Sequence, residues 1–149
     1  MSGPSPLPLS RLVEILSPGQ ILTDPSALAA RHVDHLRPSV VVQPTEAAQV
    51  AEIVRFAASE KLALIASGGG SKLGIGSPPE RYDIALDLSR MNRVLAYDPA
   101  DLTLGVEPGI RVEYLCGTLK SQNQFLPLTL PFGARATIGG AMAANSNSP

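Results

Sequence analysis

Apolar residues along this chain recur at two spacings, and the changes between them divide it into elements. "SRLVEILSPGQ" carries Leu12, Val13, Ile15 and Leu16 and then stops on Ser-Pro-Gly, which predicts a short helix with a firm end. "PSVVVQP" packs a β-branched run between Pro38 and Pro44, which predicts a short buried strand. In "TEAAQVAEIVRFAASEKLAL" the period lengthens. Val50, Ile53, Val54 and Ala57 make one apolar stripe, with Thr45 as N-cap and Glu46 in a first turn that favours negative charge. Ala63 to Ala66 is the next strand. Strand, helix and strand in this order predict a right-handed βαβ unit with a parallel pair.

The pattern then shortens. In "YDIALDLSRMNRVLAYDPADLTLGVEPG", Ile84, Leu86 and Leu88 alternate with Ala85, Asp87 and Ser89. "RVLAYD" and "LTLGVEPG" flank the turn-prone "DPAD", which predicts an antiparallel hairpin. "IRVEYLCGTLKSQNQ" is a second helix with Val112, Leu115, Cys116 and Leu119 on one face. "FLPLTLPFGARATIGGAMAANS" returns to loop, and a further helix opens at Thr137. The fold class is α+β, with a parallel start, an antiparallel middle and no internal repeat.

Composition narrows this little. The chain has 149 residues, 44% hydrophobic and 17% charged, with no tryptophan, enough for one real core. A net charge of -1 without blocks of one sign gives no reason to expect nucleic acid or a membrane surface as partner. No run of about 18 apolar residues is available to span a bilayer. The proline-rich "MSGPSPLPLSR" lacks the basic start and apolar run of a signal peptide, and the single cysteine, Cys116, fits a reducing compartment. A cytoplasmic location is therefore expected. "AMAANSNSP" stops just after a small-residue apolar segment, so the chain is expected to be a fragment or a truncated gene product.

Candidate chemistry sits in two glycine clusters. "ALIASGGGSKLGIGSPP" runs from a strand into Gly68, Gly69 and Gly70, where backbone amides can converge on an anion without side chains in the way. The familiar phosphate motifs fail here: Lys72 follows Ser71 rather than a glycine, and no G-x-G-x-x-G opens a helix. A glycine-rich connector without a ligand is an equal alternative for this cluster alone. "PFGARATIGGAMAAN" holds the second cluster, with Thr137 as a cap ahead of Gly139 and Gly140. Its alternative is close helix packing through small residues. Two clusters together fit an extended ligand with two phosphates better than either does alone.

Four blocks in order carry a resemblance. They are "PSVVVQPTEAAQVAEIV", "ASGGGSKLG", "IALDLSRMNRVLAYDPADLTLGVEPG" and "LPFGARATIGGAMAAN". The chain resembles the flavin-binding domain of the vanillyl-alcohol oxidase / p-cresol methylhydroxylase (PCMH-type) superfamily, most of all glycolate oxidase flavin subunits and D-lactate dehydrogenase-like proteins. An N-terminal leader and short helix are expected over 1–37, and the resemblance implies a PCMH-type FAD-binding domain over 38–149 that is incomplete at its C-terminus. The N-terminal, βαβ-containing subdomain would be followed by the start of a second α+β subdomain. It implies that Ser67, Gly68, Gly69, Gly70, Ser71 and Lys72 meet the FAD pyrophosphate from one side, and Thr137, Gly139, Gly140 and Asn145 from the other. Members with covalent flavin have histidine where this chain has Ser71, so FAD is expected to be held non-covalently. Where many relatives carry arginine ahead of the glycines, this chain has Ser67, and Lys72 is the candidate replacement for that charge. The implied activity is oxidation of a 2-hydroxy acid such as glycolate by hydride transfer to the flavin, with partner subunits of an oxidase complex. Catalytic residues would lie past residue 149. The alternative from another class is a truncated, inactive nucleotide-binding or scaffold remnant.

Other polar residues are expected to be structural. His32 and His35 in "RHVDH" have no third ligand in the sequence pattern to make a metal site. Cys116 is expected in the core, Glu107 in a turn, and Asp87 and Asn92 as folding residues.

Overall fold

A computed structural model of the chain describes residues 7–128, 130 and 134–145. The first six residues of the expected leader, and Pro131, Phe132 and Gly133 ahead of the second glycine cluster, lie outside the described residues. The chain divides into two units. The first runs to Ala66 and resumes over Gly76–Asp87, and the second takes Ser67–Ile75 and everything from Leu88 onward.

The first unit is a sheet with helices. Its strands are β1 (Ile21–Leu22), β2 (Val40–Val42), β3 (Leu64–Ser67, whose last residue opens the second unit) and β4 (Ile84–Asp87), in the order β1-β2-β4-β3. Its helices are α1 (Leu9–Ile15), α2 (Pro25–Ala29) and α3 (Ala47–Ser59). β2 and β4 are parallel, with Val40, Val41 and Val42 opposite Ile84, Ala85 and Leu86, and β1 runs antiparallel to β2. The βαβ order β2-α3-β3 is present, but β4 separates the two strands, so the parallel partner of β2 is β4. The alternation around Ile84 is a poor guide here, because all four β4 residues are buried. Val40, Val42, Ile84, Ile53 and Leu12 are fully buried, and each such side chain contributes about 1.5–3 kcal/mol.

Polar burial in this unit is organised around Asp87. It is fully buried, ion-paired with Arg31, and accepts from Gln43 Nε2 at 2.7 Å. Removing one partner of such a pair leaves an uncompensated buried charge, a loss of about 3–5 kcal/mol. Burial pushes the phenol of Tyr82 up to about 12, Arg31 drawing it down and Asp87 raising it. Gln20 ties the N-terminal segment to the sheet, donating to Gln43 O at 3.1 Å and Gln49 Oε1 at 2.9 Å. The stretch before residue 38 thus adds a strand and a second short helix, α2, capped by Asp24 on the Ala27 amide.

Two helix details differ from the sequence pattern. Helix α3 has Glu46 at its N-cap, because Thr45 turns its amide and hydroxyl onto Gln49 Oε1 instead. Its buried face is Ile53, Phe56 and Ala57, and Val54 faces solvent.

In the second unit β5 (Val94–Asp98) and β6 (Thr103–Val106) form the antiparallel hairpin expected around "DPAD". Asp98 Oδ1 accepts from the amides of Ala100 and Asp101, which closes the turn. Asn92 Nδ2 donates to Ser89 O at 3.1 Å. Helix α4 (Val112–Lys120) buries Val112, Leu115 and Leu119. Cys116, expected on that face, is exposed, since it lies at the edge of the buried sector rather than within it. The short helix α5 (Ile138–Ala143) follows, capped by Thr137 Oγ1 on the Gly140 amide.

Candidate functional site

Both glycine clusters fall in the second unit and meet each other. β3 ends at Ser67 and releases the chain into Gly68–Gly70, with Gly70 in the left-handed region at φ 66°. A side chain on Gly68 would begin 2.2 Å from Thr137 Oγ1, and one on Gly69 would begin 1.6 Å from the Arg135 carbonyl oxygen. The absence of side chains at these positions is therefore a packing requirement.

The second cluster is held by its own neighbours. Arg111 and Thr137 form an antiparallel bridge, and Val112 N–H donates to Ala136 O at 3.0 Å. Ile138 N–H donates to Ile110 O at 3.1 Å and Gly139 N–H to Pro108 O at 2.8 Å. A side chain on Gly139 would begin 2.7 Å from Pro108 Cβ, so the glycine lets this segment lie against the Glu107-Pro108-Gly109 turn. With the Gly140 amide on Thr137 Oγ1 and the Ala141 amide on Thr137 O, the donors from 138 to 141 are all committed.

The first cluster is the reverse. Among the described residues no hydrogen bond engages the backbone amides of Gly68, Gly69, Gly70 or Ser71. Ser67 Oγ is buried and has no partner among the described residues. Buried polar groups are normally paired, so an orphan hydroxyl at the root of four free amides is a feature to be explained. Arg135, absent from the sequence-level candidates, reaches over this loop and donates from Nη2 to Gly69 O at 3.3 Å. The sequence signal for it was a basic residue two positions ahead of Thr137.

The other expected residues are placed less centrally. Lys72 is half-buried and its carbonyl accepts from the Ile75 amide at 3.2 Å. Asn145 follows α5 with φ 44°, its amide on Met142 O. His32 and His35 are in the first unit and exposed, with a ring nitrogen of His32 against Ala29 O at 2.9 Å.

Glu107, expected as a turn residue, has a larger part. It is buried, with Oε1 accepting from Arg93 Nη2 at 2.7 Å and Nε at 3.1 Å, and Oε2 from the Arg93 amide at 2.8 Å. The Arg93 side chain, then its amide, hold this carboxyl below its ordinary pKa against the opposing effect of burial.

The model of the FAD binding domain family matches residues 38–149, most of the chain. The chain belongs to this FAD-binding family. Its cofactor is FAD, and its fold is that of the PCMH-type flavoproteins. D-2-hydroxyglutarate dehydrogenase, mitochondrial, of Danio rerio is 31% identical over 97% of this chain and 30% of that protein. The enzyme named D-2-hydroxyglutarate dehydrogenase in Stutzerimonas stutzeri is 27% identical over 95% of this chain and 32% of that one. The FAD-binding chain thus spans about a third of the length of these relatives. Among solved structures, an alkyldihydroxyacetonephosphate synthase superposes with a TM-score of 0.85 at 25% identity, over 99% of this chain and 33% of that one. p-Cresol methylhydroxylase superposes with a TM-score of 0.75 at 24% identity, over 93% and 29%, and shares the fold.

The residues present fit a phosphate-bearing cofactor. Amides and a buried hydroxyl with no acceptor among the described residues, beside a guanidinium that spends one donor on Gly69 O, form a donor set suited to phosphate oxygens. Among the described residues no helix is long and apolar enough to cross a membrane.

Proposed function

We propose that this chain is the FAD-holding module of a flavin-dependent oxidoreductase acting on a 2-hydroxy acid, with Gly68–Ser71 as the seat of the pyrophosphate. The observation that carries the site is the contrast in amide use. Four consecutive amides at the first cluster have no partner among the described residues, whereas those at the second are spent on the fold. Thr137 is then part of the surface against which the loop is set, and Gly139 and Gly140 act at one remove by holding that segment to the fold. When bound, FAD supplies the redox chemistry, accepting a hydride from the carbon that carries the substrate hydroxyl. The chain's part is to hold and orient the phosphates. With serine at position 71 the loop offers no imidazole for a flavin bond, so the cofactor is held non-covalently.

The names of the relatives favour a 2-hydroxy acid and point toward D-2-hydroxyglutarate rather than glycolate. Partner subunits and a cytoplasmic location belong to the same proposal. Because the chain spans about a third of those relatives, a second reading is that it binds the cofactor without turnover.

Titration of the purified chain with FAD, followed by quenching of flavin fluorescence, tests the site. Saturable binding is expected, with all flavin released to the supernatant on acid denaturation. Flavin left on the precipitated protein would contradict non-covalent binding, and no quenching would contradict the module itself. Reduction of the bound flavin by D-2-hydroxyglutarate, glycolate or D-lactate separates the two readings. Bleaching by one of them supports turnover, and a spectrum unchanged by all three supports binding alone.

A further inference from the structure

A pyrophosphate carries negative charge, and amide dipoles hold it more firmly with a cation beside them. The residue immediately ahead of the three glycines is Ser67, which brings none. The fold delivers a guanidinium by another route. The backbone of Arg135 is pressed against Gly69, its carbonyl oxygen 1.6 Å from where a side chain there would begin. Its side chain folds over the loop, with Nη2 3.3 Å from Gly69 O and 3.8 Å from the point where a Cβ on Gly70 would stand.

Arg135 is also uncommitted in a way its neighbours are not. Arg93 is paired with Glu107, and Arg111 Nη1 holds Ala134 O at 2.9 Å. Arg135 is exposed, pairs with no carboxylate among the described residues, and makes one long hydrogen bond there with one of its five donors. At the root of the same loop the Ser67 hydroxyl is buried without a partner among the described residues, an independent sign that a further acceptor belongs there.

We infer that Arg135 is the cation of the glycine loop and engages the FAD pyrophosphate directly, as a binding residue. The inference rests on reading this loop as the phosphate seat. It assigns to a residue 66 positions from Gly69 the charge that the loop's own sequence lacks. The hydrogen bond to Gly69 O holds the guanidinium over the amides before the ligand arrives.

The test measures FAD affinity by fluorescence quenching for the unaltered chain, Arg135→Gln and Arg135→Lys, at low and high salt, alongside the urea midpoint of each chain without FAD. Gln keeps an N–H donor for Gly69 O and removes the charge; Lys keeps the charge. We expect Arg135→Gln to weaken FAD about ten- to a hundredfold. Its urea midpoint should be unchanged and its salt dependence shallower than that of the unaltered chain. Arg135→Lys should recover part of the affinity. Equal affinity in Arg135→Gln and the unaltered chain overturns the inference. Loss in both variants with a lowered urea midpoint also overturns it, making Arg135 a clamp on the loop. Absence of FAD binding by the unaltered chain is a different failure, one that removes the phosphate-seat reading and this inference with it.

Discussion

The two glycine clusters are similar in composition and opposite in use. At 139–140 the glycine is needed because Pro108 occupies the space of a side chain, and the amides are already bonded within the protein. At 68–71 two of the glycines are needed for packing as well, yet the amides point to no partner among the described residues. On the proposed reading, what distinguishes a ligand seat from a packing surface is the state of its N–H groups, not the number of its glycines.

Substitution at Gly69 should have the largest effect on this contrast. A Cβ there would lie 1.6 Å from the Arg135 carbonyl oxygen, a backbone atom that cannot swing aside. Gly69→Ala should lose about 3 kcal/mol of stability by urea unfolding, as severe overpacking does, together with FAD affinity. Retention of full stability would mean that the loop and the 134–137 segment are not in contact. Loss of FAD binding alone, with the fold intact, would mean that the close approach is a consequence of binding.

Gly139→Ala should be milder. Its Cβ would stand 2.7 Å from Pro108 Cβ and 2.9 Å from Pro108 O, a smaller overlap than the 1.6 Å approach at Gly69. A loss of about 2 kcal/mol is expected, with FAD affinity of the folded chain reduced less than tenfold, because no amide of this cluster is assigned to the cofactor. If Gly139→Ala instead abolished FAD binding at unchanged stability, the two clusters would be equal jaws and the contrast would fail.

The resemblance and the elements were largely legible from residue pattern, and the reasons are local. β2, α3, the "DPAD" hairpin and the Thr137 cap each declare themselves within a short window of period, turn residue or cap. Two of the differences concern partners far along the chain. β4 looks half-exposed because Asp87 is charged, but that charge is buried by Arg31, 56 residues away. Arg135 escaped notice because its partner, Gly69, is 66 residues distant, and nothing in "GARATIGG" alone says which backbone it will cover. Cys116 sits at the margin of an apolar stripe, where periodicity cannot tell a core position from a flank. The state of the amides was invisible for a related reason: hydrogen-bond bookkeeping requires knowing both strands of every contact.

The smallest expected effect concerns the platform beneath the second cluster. Glu107 clamps the hairpin base through Arg93, and the adjoining Pro108 carbonyl receives the Gly139 amide. Arg93 holds the folded-state pKa of Glu107 below its ordinary value of 4.5. A carboxyl depressed in this way contributes stability that is present above pH 4.5 and is lost as the pH falls through the lower folded value. Glu107→Gln should therefore lower the urea midpoint at pH 7, and the gap from the unaltered chain should close as the pH is taken below 4.5. The Gly68–Ser71 amides make no bond to this platform among the described residues, so FAD affinity at pH 7 should change less than in Gly139→Ala. A gap that stays constant down to acid pH would show that ionisation of Glu107 against Arg93 contributes nothing to the stability of the fold. A loss of FAD affinity in Glu107→Gln matching that of Gly69→Ala would show that the second cluster reaches the cofactor itself, and that its committed amides are released when FAD binds.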